Sequence, residues 1–256
     1  MLDGLKPYPA YRDSGTPWSG ECPSHWDVRR LKTVFREVDH RSGTGEEPLL
    51  SLRMQQGLVD HHEMGGKPIP ASNLVNYKRT EPGEIVMNRM RAAAGLFAKT
   101  PKVGLVSPDY AVLRPHKTVE LQYFVHLFRT PVMMAIFRVE SRGLGTGESG
   151  FLRLYTERFG MLAVPVPPLA EQAAIVRFLN QADRRIRRYV HAKQRLIKLL
   201  EEQKQAIIHR ALTQGLDPNA RLKQSGVEWL GDIPEHWDVL RCRYIFHEID
   251  QRSVDG

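Results

Sequence analysis

The chain has 256 residues, 41% of them hydrophobic and 26% charged, with a formal net charge of +8. Its longest apolar runs are too short to span a bilayer, and Met1-Leu2-Asp3-Gly4 lacks the basic start and apolar stretch of a secretory signal. Cys22 and Cys242 offer neither a disulfide framework nor zinc-ligand spacing, so they read as small apolar fillers and the expected compartment is the cytoplasm.

In chain order, Tyr8 to Val28 reads as an extended, turn-rich arm, because Pro7, Pro9, Pro17 and Pro23 break any helix. Trp18 and Trp26 are its apolar anchors. Trp26 to Leu31 leads into a short helical or strand segment, and Leu49 to Met54 reads as a strand closed by Gln55-Gln56-Gly57. His61, His62 and Glu63 share a polar loop without further metal ligands at a defined spacing. Beyond the turn Glu81-Pro82-Gly83-Glu84, the runs Ile85 to Arg91, Ala92 to Phe97, Val103 to Ser107 and Tyr110 to Pro115 alternate with Gly and Pro turns and predict a curled sheet. Val119 to Met134 is helical by pattern, with Pro131 ending or restarting the helix, and Ala135 to Arg142 a continuation. A loop over 143–150 comes next, order resumes at Phe151 to Tyr155, and Leu162 to Val166 reads as a last strand.

From Leu169 to Gly215 there is neither Gly nor Pro until the closing Gly215, and Pro167-Pro168 precedes the first turn. Apolar residues fall at helical spacing: Ile175, Leu179, Ala182, Ile186, Tyr189, Leu196, Leu200 and Ile207. They form one seam on a rod roughly 60 Å long at 1.5 Å per residue, and such a seam calls for a partner helix. The alternative is a kinked pair of shorter core helices, broken at Asn180-Gln181-Ala182-Asp183.

Beyond the helix, the chain repeats its own opening. Ser225-Gly226 through Trp237-Asp238-Val239 echoes Ser14-Gly15 through Trp26-Asp27-Val28, and Phe246, Glu248, Asp250 and Arg252-Ser253 echo Phe35, Glu37, Asp39 and Arg41-Ser42. A single ungapped offset relates all these pairs, and roughly half of the paired positions are identical. The chain therefore divides into one complete unit, a long helix, and the opening of a second unit: residues 1–168, 169–215 and 216–256.

Charge is distributed unevenly. Residues 1–66 sum to −2, 67–168 to +7, 169–215 to +6 and 216–256 to −3. The basic middle of the first unit points to a polyanion, nucleic acid first. The cluster Arg184, Arg185, Arg187 and Arg188 fits a solvated helix face, a phosphate or an acidic partner. Gly145 to Gly150 matches G-x-G-x-x-G, but no helix start comes after it. Phosphate-loop, nucleophile-elbow, metal-nuclease and adenine-methyltransferase motifs are all missing, so no catalytic constellation is present.

Pro23-Ser24-His25-Trp26-Asp27-Val28-Arg29-Arg30-Leu31 and Ile233-Pro234-Glu235-His236-Trp237-Asp238-Val239 resemble the unit openings of specificity subunits of type I restriction-modification systems. Val164-Pro165-Val166-Pro167-Pro168-Leu169-Ala170-Glu171-Gln172 resembles their join between target-recognition domain and conserved helix, and Leu199 to Ile208 the end of that helix. The resemblance implies an α+β target-recognition domain with a curled sheet and flanking helices, then a spacer helix paired as an antiparallel coiled coil. It implies a non-catalytic reader of one half of a bipartite double-stranded DNA target, docking methyltransferase subunits and joined by motor-nuclease subunits for cleavage. S-adenosylmethionine, ATP and Mg2+ are then expected on those partners and no cofactor on this chain. One recognition domain with only the head of a second departs from the family pattern; it fits either a homodimer through the long helix or a fragment. A protein-binding helical scaffold and a stand-alone DNA-modifying enzyme are the alternatives.

Arg forms two hydrogen bonds to guanine, and either Arg or Lys holds phosphate. The candidate DNA contacts are therefore Arg89, Arg91, Lys99, Lys102, Arg138, Arg142 and Arg153.

Overall fold

The computed structural model describes residues 6–143 and 152–249. The elements in order are β1 (Tyr11–Asp13), β2 (Glu21–Pro23), β3 (Asp27–Arg30), the single turn α1 (Leu31–Val34), β4 (Phe35–Val38), β5 (Leu50–Arg53), β6 (Gly57–Asp60), β7 (Lys78–Thr80), β8 (Ile85–Asn88), β9 (Phe97–Lys99), β10 (Gly104–Val106) and β11 (Tyr110–Pro115). Then come α2 (Leu121–Phe128), α3 (Pro131–Glu140), α4 (Thr156–Met161), β12 (Ala163–Val166), α5 (Leu169–Gln214), β13 (Leu222–Gln224) and β14 (Asp232–Pro234). Two compact units result, residues 1–181 and 182–256.

The first unit is built on a four-stranded antiparallel sheet in the order β4-β11-β8-β9. Successive side chains on a strand point to opposite faces, and here both faces are covered. Phe35, Ile85, Met87, Phe97, Ala111 and Leu113 point to one side, into a core shared with α2, α3 and α4. Val38, Val86, Ala98 and Val112 point to the other, where Leu50, Leu52, Leu58 and Val106 close over them. Double coverage explains why Ile85-Val86-Met87 reads as an unbroken apolar run rather than an alternating one. The curled sheet expected from sequence is this sheet plus short two-stranded ladders, β10-β7 and β5-β6, linked by a bridge between Leu49 and Leu105.

Pro131 restarts the helix: it occupies the first turn of α3, where its missing N–H costs nothing, and the Thr130 hydroxyl accepts from the Met133 amide at 3.3 Å. The helical layer then delivers Phe124, Phe128, Phe137 and Phe159 onto Phe35 and Phe97, with Phe97–Phe128 ring centroids 4.9 Å apart and Phe128–Phe159 5.4 Å apart. β12 pairs with β3, Val164 opposite Arg29, so the last strand of the unit lies beside its opening.

α5 runs unbroken through Asn180-Gln181-Ala182-Asp183. Every residue from 183 to 210 is exposed, yet no helix among the described residues is long and apolar enough to cross a membrane. In the second unit, β13 and β14 form a hairpin whose register, Leu222 opposite Pro234, reproduces that of β1 and β2, Tyr11 opposite Pro23. Ile233 is as buried there as Cys22 is in the first hairpin, which bears out the filler reading of Cys22. Cys242 corrects that reading, because it is exposed. Its counterpart Leu31 is covered by α4 and β12, and no described element of the second unit takes their place. For the same reason Trp229, Ile245 and Phe246 are 76%, 55% and 71% exposed.

Phe128 touches five other phenylalanines and is fully buried. Phe128→Ala is expected to destabilise the first unit by about 3–5 kcal/mol, read as a lowered denaturation midpoint at unchanged slope.

Candidate nucleic-acid interface

β8 ends at Asn88, whose Oδ1 accepts from the backbone amides of Met90 (3.0 Å) and Arg91 (3.2 Å). This cap winds residues 89–94 into a short 3-10 turn. The turn closes at Gly95 with φ +75°, and a side chain there would press on Met134 and Arg129. The two arginines of the turn diverge. Arg91 is exposed and has no carboxylate partner among the described residues. Arg89 turns inward, its guanidinium bonded to the Glu37 carboxylate and, at 3.2 Å, to the Thr156 hydroxyl.

Glu37 is the hub of that inner arrangement. Lys78, only 2% exposed, donates to Glu37 at 2.9 Å and lies 3.8 Å from Asp39. Burial pushes the Glu37 carboxyl up, but the Thr156 and Lys78 hydrogen bonds and the Arg89 and Lys78 charges outweigh it and hold the group below its ordinary value of 4.5. Four separate elements, β4, β7, the 89–94 turn and α4, are thereby tied to one carboxylate. Arg89 thus has a structural partner that the sequence did not reveal, because nothing local marks Glu37 as the other half of the pair.

Several of the other predicted cations gather at one corner. Arg142 and Arg153 exchange backbone hydrogen bonds at 3.0 and 2.8 Å, and the Leu154 amide bonds the Arg89 carbonyl at 3.0 Å. Arg153 pairs with Asp109 at 2.8 Å. The neighbouring Tyr110 phenol is pushed up by burial, against the lowering effect of Asn88 and of the Arg53 and Arg91 charges. Arg53 therefore belongs to this corner as well. Sequence reasoning passed over it as a strand residue, although its place at the edge of a polar turn was the available signal.

Lys99 and Lys102 sit elsewhere, at the exit of β9. Lys102 is paired with Asp60 at 2.6 Å. Lys99 has no ion-pair partner among the described residues and borders a concavity of about 200 Å3 with Gln55, Gln56, Gln122 and Arg129. Arg129, also missed from sequence, donates to the Phe97 carbonyl at 2.7 Å, and its Nε is buried without a partner among the described residues. Arg138 is exposed on α3 and takes part in no ion pair among the described residues. His61 bonds the Ser51 hydroxyl at 2.9 Å, and among the described residues no group of three or more His, Cys, Asp or Glu could hold a metal. The G-x-G-x-x-G match lies outside the described residues.

The two motifs that carried the family resemblance meet in space. Glu171, on the first turn of α5, accepts from Tyr8 Oη (2.9 Å) and Trp26 Nε1 (3.0 Å) through one oxygen and faces His25 Nε2 (2.7 Å) through the other. The Tyr8 ring packs on those of His25 and Trp26, with centroids 5.2 and 5.9 Å away. A carboxylate at a helix N-terminus also answers the helix dipole. Next to it, Gln172 is buried and bonds the Pro167 carbonyl and the Glu120 amide. The H-W-D-V opening and the P-P-L-A-E-Q join are thus two halves of one clasp. Of the predicted pairing residues, Ile175 packs on the first unit's own core, while Leu179 and Ala182 are half-buried. Ile186, Tyr189, Leu196, Leu200 and Ile207 are 46% to 61% exposed.

The first unit is thus a double-faced sheet domain with cation-rich loops, clasped to the start of a long helix that carries bare apolar residues. Residues 67–199, more than half of the chain, match the type I restriction modification DNA specificity domain, and the chain belongs to that family. It is 24% identical over 236 residues to a Methanocaldococcus jannaschii protein assigned as the MjaX type I restriction enzyme specificity subunit, covering 86% of this chain and 52% of that protein. The MjaVIII specificity subunit of the same organism is 28% identical over 87 residues, 34% of this chain and 19% of that protein. A solved structure concerned with complex assembly and conformational transition of the type I R-M system shares the fold, with a TM-score of 0.53 at 18% identity over 77% of this chain and 48% of that one. The chain spans about half the length or less of the relatives it matches.

Removing the hub carboxylate leaves the buried Lys78 with only the more distant Asp39 carboxylate at 3.8 Å, so Glu37→Gln is expected to cost about 3 kcal/mol at neutral pH. Because the native pKa of Glu37 is depressed, its contribution is complete above its ordinary value of 4.5 and is lost as pH falls through the lower native value. Chemical denaturation of both proteins across acidic pH should show the gap closing in that window.

Proposed function

We propose that the first unit reads one half of a bipartite double-stranded DNA target as the specificity subunit of a type I restriction-modification complex. The observation that carries this reading is the corner formed by Arg53, Arg91, Arg142 and Arg153 on a domain of this family, in which Arg53 and Arg91 have no described carboxylate to neutralise them. Unpaired cations on a rigid scaffold gather phosphates, and their loops can then reach base edges. Of the candidate contacts, Arg91, Lys99, Arg138 and Arg142 are exposed and suited to DNA as they stand; Lys102 and Arg153 would exchange an acidic partner for phosphate. Arg89 supports the 89–94 turn from within. In this reading the chain supplies no chemistry: methyltransferase subunits bring S-adenosylmethionine, and motor-nuclease subunits bring ATP and Mg2+.

The long helix supports the spacer role, with residues 169–215 as spacer and 216–256 as an incomplete second head. Its bare residues from Ile186 to Ile207 are exposed among the described residues, and burying such a stripe against an antiparallel helix is worth about 25 cal/mol for each Å2 of apolar surface removed from water. A second copy of this chain supplies such a helix and would set two recognition units on a symmetric target.

The full chain should bind duplex DNA with an affinity that falls steeply with salt, and Lys99→Ala should lower the slope of log affinity against log salt by about 1. Sedimentation should give a dimer that Leu196→Glu with Leu200→Glu converts to a monomer. Salt-independent or undetectable DNA binding, with and without the methyltransferase subunit, would favour the protein-scaffold alternative.

A further inference from the structure

We infer that the tip of the β5–β6 hairpin, Met54-Gln55-Gln56, is a base-reading element of this unit, with Gln55 and Gln56 selecting adenine in the major groove. The inference rests on the DNA-reading role just proposed and goes beyond it by assigning specificity to two uncharged residues.

The hairpin is short and rigidly seated. Arg53 pairs with Gly57 at its end, and Gly57 takes φ +78°, the left-handed conformation that lets three residues reverse the chain. Leu52 and Leu58 are buried in the second core, and a Cβ on Gly57 would sit 3.5 Å from that of Ala98, so the ribbon lies close against β9. From this base Met54, Gln55 and Gln56 all project into solvent. Neither glutamine amide has a hydrogen-bond partner among the described residues.

The β1–β2 loop offers a contrast within the same unit. There Ser14 and Thr16 bond one another at 2.9 Å and Asp13 accepts from the Gly15 amide, so the turn's polar groups are consumed internally. The β5–β6 tip leaves its amides unused and is flanked by cations. Arg53 and Arg91 bear on the Tyr110 side, and Lys99 and Arg129 on the concavity that Gln55 and Gln56 also line. A neutral apex between positive shoulders matches the groove of DNA, where phosphates lie on both sides and uncharged donors and acceptors in the middle. The major groove admits a two-stranded ribbon, and a glutamine amide pairs bidentately with N6 and N7 of adenine. The exposed Met54 is suited to the thymine methyl on the opposite strand.

The test is selection from a pool of randomised duplexes by the full chain co-purified with the methyltransferase subunit of its own system. Wild type should enrich a bipartite motif. Gln55→Ala, Gln56→Ala and the double variant should keep that motif but lose preference for A·T at one or two positions, by on the order of 10- to 100-fold per position. Lys99→Ala should weaken binding to all sequences alike. Thermal melting of each variant confirms that the exposed substitutions leave the fold intact. A double variant that enriches the wild-type motif at wild-type stringency overturns the inference and leaves the DNA-reading role standing. A wild type that enriches no motif overturns both.

Discussion

Covering the central sheet on both faces leaves the first unit very little freedom in where to place polar function. The strands β4, β11, β8 and β9 alternate between a phenylalanine-rich core and an aliphatic one, and neither face is free to bind anything. Groups meant to meet a partner are therefore displaced to strand ends and connecting loops, where backbone is solvated and side chains can project. The 89–94 turn, the β5–β6 tip and the 142/153 bridge all lie in such places. Each is braced by something buried: Asn88 caps the turn, Leu52 and Leu58 root the ribbon, and Leu154 anchors the bridge.

The Glu37 hub places a nearly buried cation inside the unit. A lysine taken almost wholly out of water is tolerated only beside a carboxylate of good geometry, and Lys78 has one at 2.9 Å. By also engaging Arg89 and Thr156, the same carboxylate fixes the root of the turn that presents Arg91. The network therefore ties loop position to the pairing of the buried lysine. The repeat carries Glu248 at the corresponding place.

At the other end of the unit, the Glu171 clasp converts two linear motifs into a junction. Tyr8, His25 and Trp26 converge on the first turn of α5 and hold it to the domain's opening segment. The second unit repeats the hairpin register without the covering layers, and its aromatic residues stay exposed as a result.

Features set by local sequence were legible without coordinates. The proline-bounded, glycine-terminated run fixed α5 almost to the residue, Pro131 marked a helix restart, and the ungapped repeat marked the opening of a second unit, although the β1–β2 hairpin and its copy β13–β14 were read only as an extended arm. These depend on backbone propensity and short-range periodicity, which a linear pattern records. Tertiary structure decided which charges are free. Arg89 and Arg91 are two positions apart and alike in sequence, yet one is neutralised by Glu37, 52 residues away, and the other faces solvent. Likewise Ile175 and Ile186 share one apolar seam, but the first belongs to the domain core and the second is bare. Pairing and burial are set by long-range proximity, which the hydrophobic pattern brings about but does not spell out residue by residue.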